Sequence, residues 1–394
     1  MGDSSVGMKH SAQDDRSRGI SLGDLVKLPS YLASGVKYHT AGRLHTPKPL
    51  YVTLHLTHRC NSRCVMCSDW RTPANHSELT LEQVRGIFSN RLFDSVRKIA
   101  LSGGEPTLRK DMVEIADTLL ERCPRLEQMA LLTNGLEPEL VMEKAEGLVR
   151  LPKRGRPVEI QIQVSVDGYG DVHEKVRRVP WAFERAVETV ERLKKLRLET
   201  PFYLCITCVV QPLNISSLVQ LCEFGQSIGV PVNFVPVDIG TALVGCPAGD
   251  TAEAASVLRM SGDQLEELEH LVGSRLRPYL KPSNAPFWEQ YFKIARGEDR
   301  RLPCFLRHSF AGVDSDGSLY MCNRDASMTF GNVLETQPDE LWYSRRASDV
   351  RRTVEEEFCS HCVSCCDMAF SLRQEFFYYA GYLVRSTGRK ILGA

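Results

Sequence analysis

The chain has no excess of charge of either sign, because 49 lysine and arginine residues balance 49 aspartate and glutamate residues. Without a net field, nothing in the composition attracts nucleic acid or an anionic membrane, and we expect neither partner. No apolar run reaches the roughly 18 residues of a bilayer-spanning helix, so no stable membrane insertion is expected. Residues 1–18 lack the apolar segment of a secretory signal, which predicts a cytoplasmic protein.

Cysteine, in contrast, is abundant and unevenly distributed, with nine of the 14 residues in two groups at 60–67 and 304–366. In a chain without a predicted secretory signal, clustered cysteines indicate metal ligation in a reducing compartment more than disulfides. Cys205 and Cys208 also form a Cys-x2-Cys pair, but they lie in a strand-like run. Residues three apart on a strand point to opposite faces, so this pair is interpreted as buried packing.

The first group is the triplet Cys60, Cys64 and Cys67, with the spacing Cys-x3-Cys-x2-Cys. Three thiolates on one short loop can hold three irons of a 4Fe-4S cluster and leave the fourth iron without a protein ligand. An open coordination position is a mark of a reactive metal site, whereas structural sites are closed. For the triplet taken alone, a zinc knuckle or a set of buried thiols is the alternative.

From residue 50 onwards, six strand-like runs alternate with helical stretches. The predicted strands are Leu50–Leu56, Arg97–Leu101, Gln128–Leu132, Val158–Val166, Phe202–Val210 and Val230–Val237. This alternation predicts an α/β fold with a parallel sheet, either doubly wound or a barrel. The polar and glycine-rich motifs follow the strands, where active sites lie in both architectures.

A Gly-Gly-Glu-Pro motif at residues 103–106 follows the second predicted strand, and its glycines allow a ligand or another backbone to come close. Together with the triplet that follows the first predicted strand, this motif resembles the signature of the radical S-adenosylmethionine (SAM) enzymes. The resemblance implies a partial (β/α)6 TIM-type barrel with a 4Fe-4S cluster whose open iron is chelated by SAM. It also implies that one electron from the cluster cleaves SAM, and that the resulting 5'-deoxyadenosyl radical takes a hydrogen atom from substrate.

The same resemblance assigns cofactor-binding residues to the ends of the second, third and fourth strands and to the segment that follows. These residues are Gly103, Gly104, Glu105, Pro106, Asn134, Ser165, Asp167 and Arg177. The glutamate motif is expected to meet the methionyl amino group, Ser165 the ribose or carboxylate region, and Arg177 the carboxylate. Asn134 and Asp167 each precede a glycine and suit an ordinary turn equally well, so their roles stay open.

The second group begins with Cys304 and Cys322 in a Cys-x12-Gly-x4-Cys pattern, which a predicted hairpin turn at Asp314–Ser318 would close. A Cys-x2-Cys-x2-Cys-Cys run follows, and the whole order resembles the SPASM/twitch extension, which carries auxiliary 4Fe-4S clusters. Six thiols cannot ligate two clusters with four cysteines each, so one auxiliary cluster is expected, with a structural zinc site as the alternative. The first-choice ligands are Cys304, Cys322, Cys359 and Cys362, with Cys365 or Cys366 in reserve.

Four parts are predicted along the chain. They are a disordered tail with a helical lead-in (1–49), the partial barrel (50–260), a helical connector (261–302), and a small cysteine-rich α+β extension with a C-terminal helix (303–394). The short segment before the barrel leaves little room for a fused peptide-recognition domain.

The resemblance implies an oxidoreductase or maturase that receives electrons from a reductase or flavodoxin-type donor. One auxiliary cluster favours the net oxidation of a small molecule, such as an aminocyclitol or sugar-like intermediate. A peptide or protein side-chain maturase of the SPASM type is the alternative. A non-catalytic iron-sulfur carrier or sensor is a third hypothesis, and the Gly-Gly-Glu-Pro motif argues against it because a carrier needs no adenosyl site.

Overall fold

The structure is a computed structural model that describes residues 46–72, 76–152, 155–237, 251–280, 285–300, 304, 306–322 and 328–363. Three features expected from the sequence lie outside the described residues: the helical lead-in, the C-terminal helix, and Cys365 with its neighbour Cys366.

One nine-stranded sheet forms the centre of the fold, and its first six strands are parallel and adjacent in chain order. They are β1 (Tyr51–His55), β2 (Lys98–Ser102), β3 (Gln128–Thr133), β4 (Glu159–Ser165), β5 (Tyr203–Val210) and β6 (Val232–Pro236). A doubly wound sheet would reverse its strand order at a switch point. The sequential order therefore confirms the partial barrel, and every strand boundary falls within two residues of its predicted position.

Helices follow the strands and bury their apolar faces against the sheet. Those of the barrel are α1 (Leu81–Phe88), α2 (Met112–Arg122), α3 (Pro138–Val149), α4 (Asp171–Arg177), α5 (Ala182–Glu199) and α6 (Leu218–Ser227). The sequences Thr80-Leu81-Glu82-Gln83 and Ser261-Gly262-Asp263-Gln264 each predict a capping box at a helix start. At the start of α1, the side chains of Thr80 and Gln83 each accept a hydrogen bond from the backbone amide of the other.

Three further helices, α7 (Thr251–Leu258), α8 (Gly262–Gly273) and α9 (Ala285–Ala295), lead towards the second cysteine group. Ser261 and Gln264 form the second predicted capping box, at the start of α8. None of the helices in the described ranges is long and apolar enough to cross a bilayer.

The C-terminal strands β7 (Phe310–Val313), β8 (Ser318–Tyr320) and β9 (Thr329–Asn332) continue the barrel sheet. Strand β7 pairs in parallel with β1, and β7 and β8 form the predicted antiparallel hairpin around Gly317, whose φ is 89°. This pairing covers one edge of the barrel and places the residues that follow β7 beside the cysteine loop that follows β1. The four-part division of the chain stays a prediction.

Behind these strands lie three short helices, α10 (Leu306–Ser309), α11 (Pro338–Trp342) and α12 (Arg345–Glu357). Trp342 is fully buried and its indole nitrogen donates to the carbonyl of Pro47 at 3.0 Å. The guanidinium of Arg351 lies 4.5 Å from the ring of Trp342 and 4.6 Å from the ring of Phe330. These contacts attach the extension to the segment that enters the barrel.

Replacing Trp342 with alanine is expected to lower the free energy of unfolding by about 3–5 kcal/mol. The change leaves a large cavity and removes the aromatic ring on which the buried Arg351 guanidinium packs. The neighbouring Tyr343→Ala variant is the control, since Tyr343 is 42% exposed and should cost less than about 1 kcal/mol. Denaturant unfolding of both variants measures the difference. Equal losses would contradict the role of Trp342 as an anchor.

Candidate active site

The Gly-Gly-Glu-Pro motif pairs with the first half of the cysteine loop. The backbone amides of Gly104 and Glu105 donate to the carbonyls of Thr57 and Arg59, each at 2.8 Å. Gly103 has a φ of 129°, and a Cβ atom there would lie 2.2 Å from the Thr57 carbonyl oxygen. A Cβ atom at Gly104 would lie 2.5 Å from the Arg59 carbonyl oxygen. Both glycines are therefore required for this close backbone approach.

Gly104→Ala is expected to displace the cysteine loop and lower SAM cleavage on the order of 100-fold, since a misplacement of about 1 Å can cost that much. The assay is formation of 5'-deoxyadenosine by the reduced, iron-reconstituted protein. Gly86→Ala on α1 is the matched control, because a Cβ atom there meets nothing within 4 Å. Wild-type cleavage by Gly104→Ala would show that the loop does not depend on this contact.

The second half of the loop is held by the end of α4. The carbonyl of Arg177 accepts hydrogen bonds from the amide of Arg63 at 3.1 Å and from the hydroxyl of Ser62 at 3.2 Å. The next residue, Arg178, ends the helix in a left-handed conformation with a φ of 55°. These contacts bring the Arg177 guanidinium to the triplet, with Nη1 3.5 Å from the sulfur of Cys64.

Arg177 is also paired with Asp167, which it meets at 2.7 Å between Nη2 and Oδ2. Burial lowers the pKa of Arg177, but the carboxylate of Asp167 outweighs this effect and holds the pKa above its ordinary value. Burial raises the pKa of Asp167, and the charge of Arg177 and the amide of Val209, at 2.8 Å, oppose the rise. The buried Nε of Arg177 makes no hydrogen bond within the described residues, so a donor beside the triplet is available to a ligand.

Glu105 joins the ends of β2 and β3 by hydrogen bonds within the protein. Its carboxylate accepts from the amide and hydroxyl of Thr107 at 3.2 and 2.6 Å, from the hydroxyl of Thr133 at 2.9 Å, and from the amide of Asn134 at 2.7 Å. Burial raises the pKa of Glu105, and these bonds oppose the rise. The side chain of Pro106 is buried in the short turn that follows. The predicted contact of this motif with the methionyl amino group stays a prediction.

The three thiols of the triplet are not in disulfides and have polar neighbours that can stabilise bound thiolates. The sulfur of Cys60 lies 3.4 Å from the amide of Ser62 and 3.9 Å from Nδ2 of Asn134. Burial raises the pKa of Cys60 to about 12 and raises that of Cys67 well above its usual range. Metal ligation requires thiolates, so binding of a cationic cluster would release their protons.

Two further polar residues lie at strand ends near the loop. Ser165 ends β4 on the face opposite the buried side chain of Val164, and its contact with SAM stays a prediction. Gln211 follows β5, and its Nε2 lies 3.6 Å from the sulfur of Met66 in the cysteine loop. Its buried Oε1 has no hydrogen-bond partner within the described residues. Gln211 directly follows the predicted strand Phe202–Val210, but no sequence motif indicates a role for it.

In the extension, the structure brings predicted auxiliary ligands together. The thiol of Cys304 lies within hydrogen-bonding reach of Cys359, and this contact, with the charges of two arginines, lowers the pKa of Cys359 to about 7. The amide of Cys362 donates to the carbonyl of Cys359 at 3.4 Å, the same turn that Cys67 and Cys64 make at 3.3 Å. Cys322 lies two residues after β8, in contact with the core on which Cys359 packs.

Residues 54–225 match the family model of the radical SAM superfamily. Residues 304–366 match the model of the SPASM iron-sulfur cluster-binding domain. The chain therefore contains a radical SAM domain and a SPASM domain. Its core is of the type that binds SAM and a 4Fe-4S cluster, and its SPASM region is of the type that binds auxiliary iron-sulfur clusters, so the predicted cofactors are confirmed. The buried donor of Arg177 and acceptor of Gln211 beside the triplet fit a polar cofactor.

One curated relative matches nearly the whole length of this chain. The AdoMet-dependent heme synthase of Methanosarcina barkeri is 25% identical over 376 residues, which span 88% of this chain and 99% of the relative. Streptococcus suis SuiB, solved with its precursor peptide SuiA, superposes with a TM-score of 0.57 at 13% identity, covering 86% of this chain and 74% of SuiB. The protein anSMEcpe with bound AdoMet gives a TM-score of 0.56 at 15% identity, covering 86% and 96%. At these identities the two structures show a shared fold.

Proposed function

We propose that this radical SAM protein is an enzyme that cleaves SAM reductively at the Cys60–Cys67 loop and oxidises a small molecule, assisted by one auxiliary 4Fe-4S cluster. The observation that carries the proposal is a three-thiol loop fixed from both sides, together with an extension that joins the same sheet through β7 and brings Cys304 and Cys359 into contact. A reductase or flavodoxin-type protein would supply the electron. Two thiol-rich sites suit a reducing compartment, for which we propose the cytoplasm.

When bound, the cluster and SAM supply the radical chemistry, and the protein supplies binding, orientation and exclusion of side reactions. Cys60, Cys64 and Cys67 would hold the irons. The buried Nε of Arg177 and Oε1 of Gln211 would bind the polar part of SAM, because both lack a partner among the described residues. Asp167 has a positioning role, since its ion pair fixes the guanidinium of Arg177.

The second thiol group is the reason for proposing a net oxidation of the substrate. A substrate that loses one hydrogen atom, then one electron and one proton, is oxidised by two electrons in total. The electron needs an acceptor. The adjacent thiols of Cys304 and Cys359 would hold an auxiliary cluster, which would supply one-electron redox chemistry when bound. Cys322 and Cys362 are the proposed remaining ligands.

A small-molecule substrate is supported by the similarity to the heme synthase, because that similarity spans 88% of this chain and 99% of the relative. A peptide is the second candidate, since SuiB has this fold and is bound to a precursor peptide. A carrier or sensor is the third, and it would need no pocket for SAM.

Deuterium transfer distinguishes these candidates. The reduced, reconstituted protein is incubated with SAM and with either the small-molecule or the peptide fraction of a fully deuterated cell extract. Deuterium in 5'-deoxyadenosine from the small-molecule fraction supports the proposal, and deuterium from the peptide fraction alone supports the peptide alternative. If no SAM is cleaved under any condition, the protein is a carrier or sensor.

A further inference from the structure

Histidine and aspartate side chains meet where the barrel joins the extension. His55 is the last residue of β1, His58 lies in the cysteine loop, and Asp314 directly follows β7. One ring nitrogen of each histidine and one carboxylate oxygen of Asp314 lie within 4.8 Å of one another. Asp314 Oδ1 is 2.8 Å from His58 Nε2 and 3.7 Å from His55 Nδ1. The parallel pairing of β1 with β7 thus builds a group of potential metal ligands from both parts of the protein.

The outer side of His58 is held by a second carboxylate. Its Nδ1 lies 3.2 Å from Oδ1 of Asp69, while its Nε2 points to Asp314. A histidine that binds a metal through one nitrogen almost always donates its other N–H to a carboxylate, a carbonyl or water. Asp69 occupies that supporting position, so the ring orientation of His58 is fixed as in a metal site.

His55 supplies a ring nitrogen that forms no hydrogen bond with the described residues. The side chains of Val52 and Leu54 are buried on the opposite face of β1, so His55 projects from the face that it shares with Thr53. Its Nδ1 is buried and makes no hydrogen bond within the described residues, and 3.7 Å to Asp314 exceeds hydrogen-bonding distance. A bound cation would provide the missing partner.

The electrostatics of the group suit a cation. The carboxylates of Asp314 and Asp69 lie 2.8 and 3.2 Å from the two ring nitrogens of His58. Two carboxylates beside the imidazoles favour a positive charge among them. The ring of His76, 4.7 Å from that of His58, also faces this group.

We propose that His55, His58 and Asp314 bind a divalent first-row transition-metal cation, separate from both iron-sulfur sites, with its remaining positions open to water or substrate. Two imidazoles and one carboxylate are a ligand set that such cations accept while keeping open positions. The cation would also link the extension to the barrel, since Asp314 lies 256 residues after His58. This inference does not rest on the proposed reaction, and either can fail without the other.

Mn²⁺ is a suitable probe, because it prefers nitrogen and oxygen ligands to thiolates. It is titrated into the reconstituted holoenzyme with its clusters oxidised and EPR-silent, and free Mn²⁺ is followed by its EPR signal. One saturable site per chain is expected in wild type. Asp314→Asn should weaken binding at least about 100-fold, and Asp69→Asn, which removes only the supporting carboxylate, about 10- to 100-fold.

Asp316→Asn is the matched control, because Asp316 lies in the same turn but its Oδ1 accepts from the amide of Ser318. Iron content of every variant verifies that the holoenzyme has folded. If Asp314→Asn does not fold, His55→Gln replaces it, since that change leaves the His58–Asp314 bond in place. Absence of a saturable site in wild type, or equal affinity in wild type and the ligand variants, would overturn the proposal and leave an ion-paired contact between barrel and extension.

Discussion

Cys64→Ala is expected to reduce SAM cleavage to the uncatalysed background. Cys64 is the middle thiol of the loop and the one that the Arg177 guanidinium contacts at 3.5 Å. Two remaining thiolates cannot hold a site-differentiated 4Fe-4S cluster, so both the electron and the open iron for SAM are lost. The measurement is 5'-deoxyadenosine formation by the reduced protein without added substrate.

The matched control for this variant is Cys123→Ala. Cys123 is also a buried thiol, but it follows α2 and belongs to neither cysteine group. It should cleave SAM at the wild-type rate after reconstitution. Cleavage by Cys64→Ala at a rate near that of Cys123→Ala would contradict the assignment of the triplet.

Cys359→Ala is expected to separate SAM cleavage from formation of the oxidised product. The contact with Cys304 lowers the pKa of Cys359 below that of an ordinary thiol, and a thiolate is the form that binds metal. Without Cys359 the auxiliary cluster should be lost. SAM cleavage should stay within about threefold of wild type, while formation of oxidised product, once the substrate is known, should stop.

Cys205→Ala serves as the control for this second variant, because Cys205 is a buried thiol on β5. Both variants are compared by iron content, SAM cleavage and product formation. If Cys359→Ala forms product at the rate of the control, the auxiliary site is not needed for the reaction, and a redox-neutral function becomes the better explanation.

The sequence predicted the barrel well because its signals are local. Runs such as Phe202–Val210 are bounded by polar or glycine-rich segments, and two capping boxes mark helix starts that the structure confirms. The parallel pairing of β7 with β1 had no such signal. It joins Leu54 to Val313, and a strand of four residues gives no periodicity from which a distant partner could be inferred.

In the candidate site, too, the sequence predicts some features and not others. Spacing identified the cysteines and the paired glycines, because metal ligation and close backbone approach require those residue types at those positions. Spacing could not show that Glu105 is satisfied by four hydrogen bonds inside the protein. Spacing also gave no reason to connect His55 and His58 with Asp314, since their contact depends on the distant pairing of β7 with β1.

We expect the protein to hold two iron-sulfur clusters, of which only one binds SAM. Anaerobic iron and sulfide quantification with EPR, on wild type and on Cys60/Cys64/Cys67→Ala, distinguishes two clusters from one. We predict that about eight irons per chain fall to about four in the variant, and that the remaining signal does not change when SAM is added. About four irons in wild type, all lost in the variant, would contradict the account and direct the search at Cys304 and Cys359 to zinc.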